Sequence, residues 1–478
     1  MKKMLENEPL SVASATKNII MVCLSNGLTI LVGLFMGFIL PKNISVDSYA
    51  NYQIYNLYIA YAGFFHFGLV NGIYIKYGKY DYEDIPYSKF KAFFKSLIVI
   101  HIISALALLA FVIFASGGND IDQRIAYLFV IVNIPLINIK WFFSSINQFT
   151  KRFVIDSYLT ITQNVLNVVA VGCIIAFHLY TYLSILIFTT IMNFVCMSLS
   201  IYQNKEIILA KSGKVQLSEV GGLIKTGFFL MLSEFVGIII LGIDSIFVQQ
   251  FMPKYTFSMY QFAVSIVSLV FTMVTVVTNL VYPYLVRADE NKYGLYYTML
   301  SDVVSVVSAA AMAAFFAAKF IIQLWIPKYN DSIPIVAILF GTIVFRILIM
   351  LVCGNYFKVL KMIKEYTANN IMAITIGFAF DVIALIVFND SWYIALASLA
   401  SFIVWYLITD RKFIKHFKLK VKDWMPRYFY IVVSLGAFYF FANHDWVVSI
   451  FVYGIFTVIF GIACFAKYIK VINEMRVK

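Results

Sequence analysis

Three basic side chains stand inside apolar stretches: Lys140 in NIPLINIKWFF, Lys319 in AMAAFFAAKF and Arg346 in GTIVFRILIML. A charge in hydrocarbon is costly and faces a cavity or a partner. Each therefore marks either a site for an anion or an internal ion pair. Arg346 lies deepest. Lys140 follows Pro135, where the missing N–H predicts a kink, and Lys319 lies near the outer end of its span, within snorkelling reach of the interface. The acids that can answer these cations are Glu234 and Asp244 in GFFLMLSEFVGIIILGIDSIFVQQ, together with Asp381, Asp302 and Asp156. Glu234 and Asp244 are separated by about 15 Å along a helix and roughly 80° around it, so they reach one cavity at different depths. Such acids bind a coupling proton or sodium ion, or they neutralise Arg346; the residues alone leave both readings open.

A second polar group is the ladder Tyr49, Tyr52, Tyr55, Tyr58 and Tyr61, with Asn51, Gln53 and Asn56 between the rings. Its three-residue step drifts around a helix and makes no single stripe. Aromatic faces with amides suit sugar rings. The plainer reading is an interfacial tyrosine belt with interhelical amide bonds. Gly63, Gly68 and Gly72 read as places of close helix packing.

The elements that must position these residues are membrane helices. Of the 478 residues, 62% are hydrophobic and 13% charged, against about 45–50% and about 25% in soluble chains. Apolar windows of spanning length recur throughout, and fourteen are counted between residues 18 and 466. The thirteenth, 428–442, is short, which leaves an interfacial element as its alternative. The first run, Ile19 to Leu40, exceeds a signal-peptide core and has no small-residue cleavage pattern after it, so the first helix is expected to stay. With the N-terminus inside, 30 of the 37 lysines and arginines fall on cytoplasmic segments, and only Lys42, Arg124, Lys254 and Lys328 fall outside. That bias places both termini in the cytoplasm and accounts for the net charge of +13 without nucleic acid.

The stretch Pro41–Lys79 has an echo at Pro253–Arg287. Pro41-Lys42 aligns with Pro253-Lys254, Tyr52-Gln53 with Tyr260-Gln261, Asn71 with Asn279 and Tyr74 with Tyr282. Six spans lie between the copies, so the repeat is parallel. The expected architecture is all-α and polytopic, with about 14 transmembrane helices. It comprises a six-helix lobe at 1–203, a cytoplasmic link at 204–225, a second six-helix lobe at 226–410, and a basic link with a terminal helix pair at 411–478.

Several function classes are disfavoured. The five cysteines and five histidines are dispersed, which argues against a disulfide framework or a metal site. No nucleotide-binding loop is present, and the outer links are too short for the loops of a glycan polymerase or ligase. No catalytic residue and no resident cofactor is expected.

PKNISVDSYANYQIYNLYIAYAGFFHFGLVNGIYIKYG resembles the first outer loop and second helix of polysaccharide-exporting flippases in the multidrug/oligosaccharidyl-lipid/polysaccharide (MOP) superfamily. Their Y-x-x-Y/W-Q pattern is matched by Tyr49–Gln53. Their H-x-G-L-x-x-G-I-x-x-x-Y-G pattern is matched by His66, Gly68, Leu69, Gly72, Ile73 and Tyr77-Gly78. Gly242-Ile243-Asp244 and Tyr282-Pro283 match patterns in the family's seventh and eighth helices. The likeness covers the first twelve spans, and the last pair fits fourteen-helix members. It implies two six-helix bundles around a cavity that opens alternately, moving a polyprenyl-pyrophosphate-linked oligosaccharide across the cytoplasmic membrane for surface polysaccharide such as O-antigen or capsule. On that reading Arg346 and Lys140 receive pyrophosphate, Lys76, Lys225 and Arg287 capture it at the inner rim, and Asn56, Asn71 and Asn279 face sugar. Glu234, Asp244 and Asp381 take the coupling proton or sodium. The chain is expected to act as a monomer in contact with membrane lipids and with glycan polymerase or ligase machinery. It departs from the family pattern in having few deep cations, so the pyrophosphate site is expected either to be sparse or to lie near the inner rim. The alternative is a cation-coupled multidrug antiporter of the same superfamily, which needs the acids and not Arg346.

Overall fold

A computed structural model describes residues 12–115, 120–213, 216–286, 288–444 and 446–476. All regular structure among them is helical. The chain divides into two compact units, Met1–Ile238 and Ile239–Lys478.

The first unit opens with α1 (Val12–Asn43), which continues through Pro41. Ser45 then caps α2 (Val46–Ile59), its hydroxyl accepting from the Ser48 N–H. A short turn, Ala62–His66, leads to α3 (Leu69–Tyr77), and the two segments meet at a 54° bend. The cause is local: Phe67 and Gly68 take φ of 49° and 86°, a left-handed step that interrupts the helical ladder. There follow α4 (Tyr87–Ala115), α5 (Ile121–Phe149), α6 (Phe153–Ala176), α7 (Tyr182–Gln203) and the short α8 (Lys205–Leu209). Helix α5 runs unbroken through Pro135. Its buried Phe142, Phe143 and Ile146 join Phe90 and Phe93 of α4 and Ile73 of α3 in one apolar core.

Helix α9 (Leu217–Phe251) passes from the first unit into the second. Its first half meets α3 backbone to backbone. A Cβ on Gly72 would lie 2.1 Å from the Leu223 carbonyl oxygen, and one on Gly227 would lie 2.0 Å from that of Gly68. Of the three glycines expected to mark close packing, Gly68 and Gly72 are where two main chains touch, and Gly63 faces the Trp141 and Phe235 side chains.

The second unit continues with α10 (Lys254–Val286), α11 (Tyr293–Met312), α12 (Ala314–Trp325) and α13 (Ile333–Ile347). A π-helical segment, Leu348–Cys353, joins α13 to α14 (Gly354–Val359), and α15 (Ile363–Phe388), α16 (Ser391–His416), α17 (Val421–Ala442) and α18 (Trp446–Arg476) follow. Helix α13 is buried on nearly every side, as its unbroken apolar sequence requires. The short thirteenth window proves to be the 22-residue α17. Much of the basic link is helical, because α16 runs to His416 and α17 starts at Val421.

Among the described residues, eleven helices are long and apolar enough to cross a bilayer, or twelve if the bent α2–α3 pair is one span. Apolar side chains lie outward, as with Leu106 and Phe114 on α4, which are 62% and 85% exposed. Such faces suit lipid and not water. This is a multi-pass membrane protein.

Candidate functional site

Three ionisable groups of the second unit, Asp244, Arg346 and Asp381, gather where α9, α13 and α15 carry them. Asp244, on α9, is 5% exposed. Its carboxylate accepts from the Tyr260 hydroxyl of α10 at 2.6 Å and from the Ser245 N–H at 2.9 Å. The Ser398 side chain of α16 also bonds it. Arg346, on α13, lies with its guanidinium 3.6 Å from the Phe271 ring centroid and 5.3 Å from that of Phe402. Stacking on two aromatic faces suits a planar, weakly hydrated cation. Arg346 interacts electrostatically with Asp244, and so does Asp381 of α15.

Asp381 is 1% exposed, and its Oδ1 has no hydrogen-bond partner among the described residues. It lines a small cavity of about 10 Å³ with Gly377, Ser398, Ser401, Phe402 and Trp405. That space matches roughly one water-sized species. Asp244 interacts with both Arg346 and Asp381, so the three groups carry a charge of −1 when all are ionised. A buried net charge demands compensation. The arrangement fits one proton or one monovalent cation, whereas no group of three His, Cys, Asp or Glu able to hold a metal occurs among the described residues.

The other described sites foreseen from sequence lie in the first unit. In the first unit Lys140 donates to Gln163 at 2.8 Å and interacts electrostatically with Asp156. Lys76 bonds Glu219 at 3.2 Å, and Lys89 reaches the same oxygen at 3.3 Å. Burial acts to raise the Glu219 carboxyl, but hydrogen bonds and charge from the two lysines outweigh it and hold the group below its ordinary value. Lys225 is exposed. Asn56 donates to Gln53 at 3.0 Å, and Asn71 is half-buried on α3. Arg287 and the side chains of Glu234 and Asn279 lie outside the described residues.

The tyrosine ladder splits by face. Tyr49, Asn51 and Tyr55 are at most 2% exposed. They open a polar network inside the bundle, in which Tyr55 bonds Asn193, Asn193 donates to Asn133 at 2.7 Å and Asn133 donates to Thr190 at 2.7 Å. For this face the interhelical reading holds.

Sequence reasoning missed one ionic centre. Arg427, counted there among the cytoplasmic basic residues, has a fully buried side chain and bonds Asp410 at 2.9 and 2.8 Å. Tyr428 donates to the same carboxylate at 2.6 Å, as does Tyr297, and Arg427 stands 3.8 Å from Asp302. Lys467 and Tyr468 of α18 hold Asp302 at 2.8 and 2.7 Å. Asp302, foreseen as one candidate partner for the deep cations, serves Arg427 and Lys467. The signal was faint, since Asp410 sits at the polar end of its span beside Arg411.

No protein-family model matches the chain, and no curated protein matches it in sequence. Similarity appears at the level of structure. The lipid II flippase MurJ in an inward-closed conformation aligns with a TM-score of 0.70 and 14% identity, covering 96% of this chain and 100% of its own. A MOP superfamily transporter from Pyrococcus furiosus aligns at 0.53 and 14%, covering 84% and 97%. A MATE protein in complex with MaD3S aligns at 0.52 and 13%, also covering 84% and 97%. The chain has the fold shared by these MOP superfamily proteins.

Proposed function

We propose that this protein is a flippase that moves a polyprenyl-pyrophosphate-linked oligosaccharide across the cytoplasmic membrane by alternating access, without chemistry on its substrate. It is a fourteen-span protein, two parallel six-helix lobes and a terminal pair, with both termini cytoplasmic. The observation that carries the reading is the extent of the likeness to a lipid II flippase, 96% of this chain at a TM-score of 0.70, against 84% for the MATE protein. A lipid-linked glycan carries a dianionic pyrophosphate, and the sparseness of deep cations favours first capture at Lys76, Lys225 and Arg287, with Lys140 and Arg346 further along. Asn56, Asn71 and Asn279 serve the sugar. The product passes to polymerase or ligase machinery for surface polysaccharide.

The buried cluster in the second unit supports ion coupling. Asp244 and Asp381 take one proton or sodium ion, Glu234 belongs to the same role, and Arg346 balances Asp244 meanwhile. This cluster is also what a cation-coupled drug antiporter would need, so that reading is the second one.

Arg346→Ala separates them. In cells that depend on this protein for export, the flippase reading expects surface glycan to fall at least about tenfold, the effect of one buried charge-assisted contact. Near-normal glycan together with near-normal efflux of cationic dyes would favour the antiporter, which does not need Arg346. Purified protein should leave the length of lipid-linked repeats unchanged; lengthening would make it a polymerase.

A further inference from the structure

The turn between α16 and α17, from Arg411 to Lys422, holds cations that the transport reading does not use. Helix α16 ends in a left-handed cap: the Leu419 N–H donates to the Ile414 carbonyl at 3.0 Å, and the Lys418 N–H to that of Lys415 at 3.2 Å. The residue that turns left-handed is Lys418, with φ of 51°, a place that glycine takes without strain. Inward side chains hold the turn. The Phe417 ring centroid lies 5.6 Å from that of Tyr297 and 5.7 Å from that of Tyr356. A Cβ on Gly294 would meet Phe417 at 3.2 Å and Leu419 at 3.7 Å. At the base of the hairpin, the buried Asp410–Arg427 pair ties α16 to α17. With Phe413, Phe417 and Leu419 packed inward, Arg411, Lys415, Lys418, Lys420 and Lys422 are exposed.

Among the described residues, none of these five cations has an acid partner. The acids of the hairpin are engaged elsewhere. Asp410 serves Arg427, Tyr297 and Tyr428, and the Asp423 carboxylate accepts from the Lys420 N–H at 3.0 Å. Lys76, Lys89 and Lys467, by contrast, are each paired with a carboxylate. The level of the membrane surface follows from α17. Val421, Met425, Phe429 and Val432 share one face of that helix and are all at least 48% exposed, a lipid-facing stripe that begins at its first residue. The 22 residues of α17 rise about 33 Å against a hydrocarbon core of about 30 Å, so its first turn sits at headgroup level. Trp424 belongs to the same turn, edge-on to Tyr428 at 5.4 Å, and indoles favour that interface.

We propose that this turn binds the phosphate of an anionic phospholipid, in the leaflet to which the lysine bias assigns this end of the helices. Lys415, Lys418 and Lys420 donate to the headgroup, and the Val421–Met425 face takes the first part of the acyl chains. Five positive charges left uncompensated by the protein, at headgroup level, attract anionic lipid over zwitterionic lipid. The site is preformed. Aromatic packing and the left-handed cap hold the turn before lipid arrives, which lowers the ordering cost of binding. Lys418 is the sharpest indication: its backbone conformation suits glycine, and an amine at the headgroup phosphate is what glycine lacks. Bound lipid ties the α16–α17 hairpin, and with it the Arg427–Asp410 pair, to the membrane surface.

The test uses the full chain. Binding of phosphatidylglycerol and of phosphatidylcholine is measured by native mass spectrometry from detergent micelles. Melting is followed in nanodiscs of phosphatidylcholine alone and of phosphatidylcholine mixed with phosphatidylglycerol. Wild-type protein should prefer phosphatidylglycerol and melt higher in the mixed disc. Combining Lys415→Gln, Lys418→Gln and Lys420→Gln should weaken the tightest phosphatidylglycerol site by about fivefold per lysine, roughly a hundredfold in all, with phosphatidylcholine binding unchanged. Lys79→Gln, Lys95→Gln and Lys205→Gln together remove the same charge from exposed positions of the first unit and should leave that site intact. Lys418→Gly separates lipid binding from packing. It should melt at or above wild type in phosphatidylcholine, because the left-handed residue is relieved, yet gain less from phosphatidylglycerol. Equal weakening in the two triple variants would mean general surface charge and no site. Undiminished phosphatidylglycerol binding without Lys415, Lys418 and Lys420, or an undiminished gain in Lys418→Gly, overturns the proposal as well. None of these readings needs a glycan substrate, so failure here leaves the flippase reading standing.

Discussion

Arg427 shows what one side chain can hide. Its place in a run of basic residues reads as a cytoplasmic anchor, yet it forms a fully buried pair with Asp410. Removing one partner of such a pair strands a charge and costs about 3–5 kcal/mol, whereas replacing both by apolar residues is often neutral. Asp410→Asn or Arg427→Met should therefore lower the melting temperature in nanodiscs sharply. The double replacement Asp410→Leu with Arg427→Met should recover much of the loss, incompletely because Asp302 then keeps only Lys467 and Tyr468. Glu219 is the partly exposed counterpart. Its carboxyl is held below the ordinary value, so its contribution is complete above the unfolded value, about 4.3, and is lost as pH falls through the folded one. With both lysines about half exposed, the clasp is worth only about 0.2–1 kcal/mol. Glu219→Gln should melt slightly below wild type at pH 7, and the gap should close as pH falls below the ordinary carboxylate range. Arg346 and Asp244 were legible as a cation and an acid because each interrupts an apolar run. Which acid meets which cation was not, since hydropathy carries no information about the neighbours a helix packs against.

At the scale of elements, the repeat was visible in matched residues but its geometry was not. Helix α10 is one unbroken 33-residue helix, whereas its counterpart splits into α2 and α3 at a 54° bend. The difference follows from the residues. Gly68 supplies the left-handed step in the first copy, and Val276 occupies the aligned place in the second, where a β-branched side chain disfavours it. The same glycines set how closely α3 meets α9, and α9 carries its own controls. Cβ atoms on Gly221 and Gly222 would meet nothing within 4 Å, while one on Gly227 would strike the Gly68 carbonyl. Gly221→Ala and Gly222→Ala should be neutral or stabilising by up to about 1 kcal/mol through helix propensity. Gly227→Ala and Gly72→Ala should each destabilise by about 1–3 kcal/mol or more, since backbone cannot yield as a side chain can. Equal melting temperatures across the four variants would mean that α3 and α9 do not cross as described.

Across the whole molecule, sidedness ties the sequence to the membrane, and the second unit offers an internal check. Lys319, read as lying near the outer end of its span, donates to the Ala442 and His444 carbonyls at the C-terminal end of α17. That end of α17 is therefore on the same side as the tip of α12. The opposite ends gather Arg427, Asp410, Asp302 and Lys467. Both groupings agree with α17 as a full crossing and with the lysine bias along the chain. The short apolar window could not decide this, because the first two turns of α17 carry Lys422, Asp423 and Arg427, which cut the apolar run short. The consequence is testable on cells carrying a cysteine-free protein with single cysteines restored. Cysteine at Lys42, Lys254, Lys328 or His444 should react with a membrane-impermeant maleimide in intact cells. Cysteine at Lys79, Lys292, Lys361 or Lys418 should react only after permeabilisation. If position 444 behaves like position 418, α17 turns back without crossing, and the terminal pair cannot bring the C-terminus to the cytoplasm.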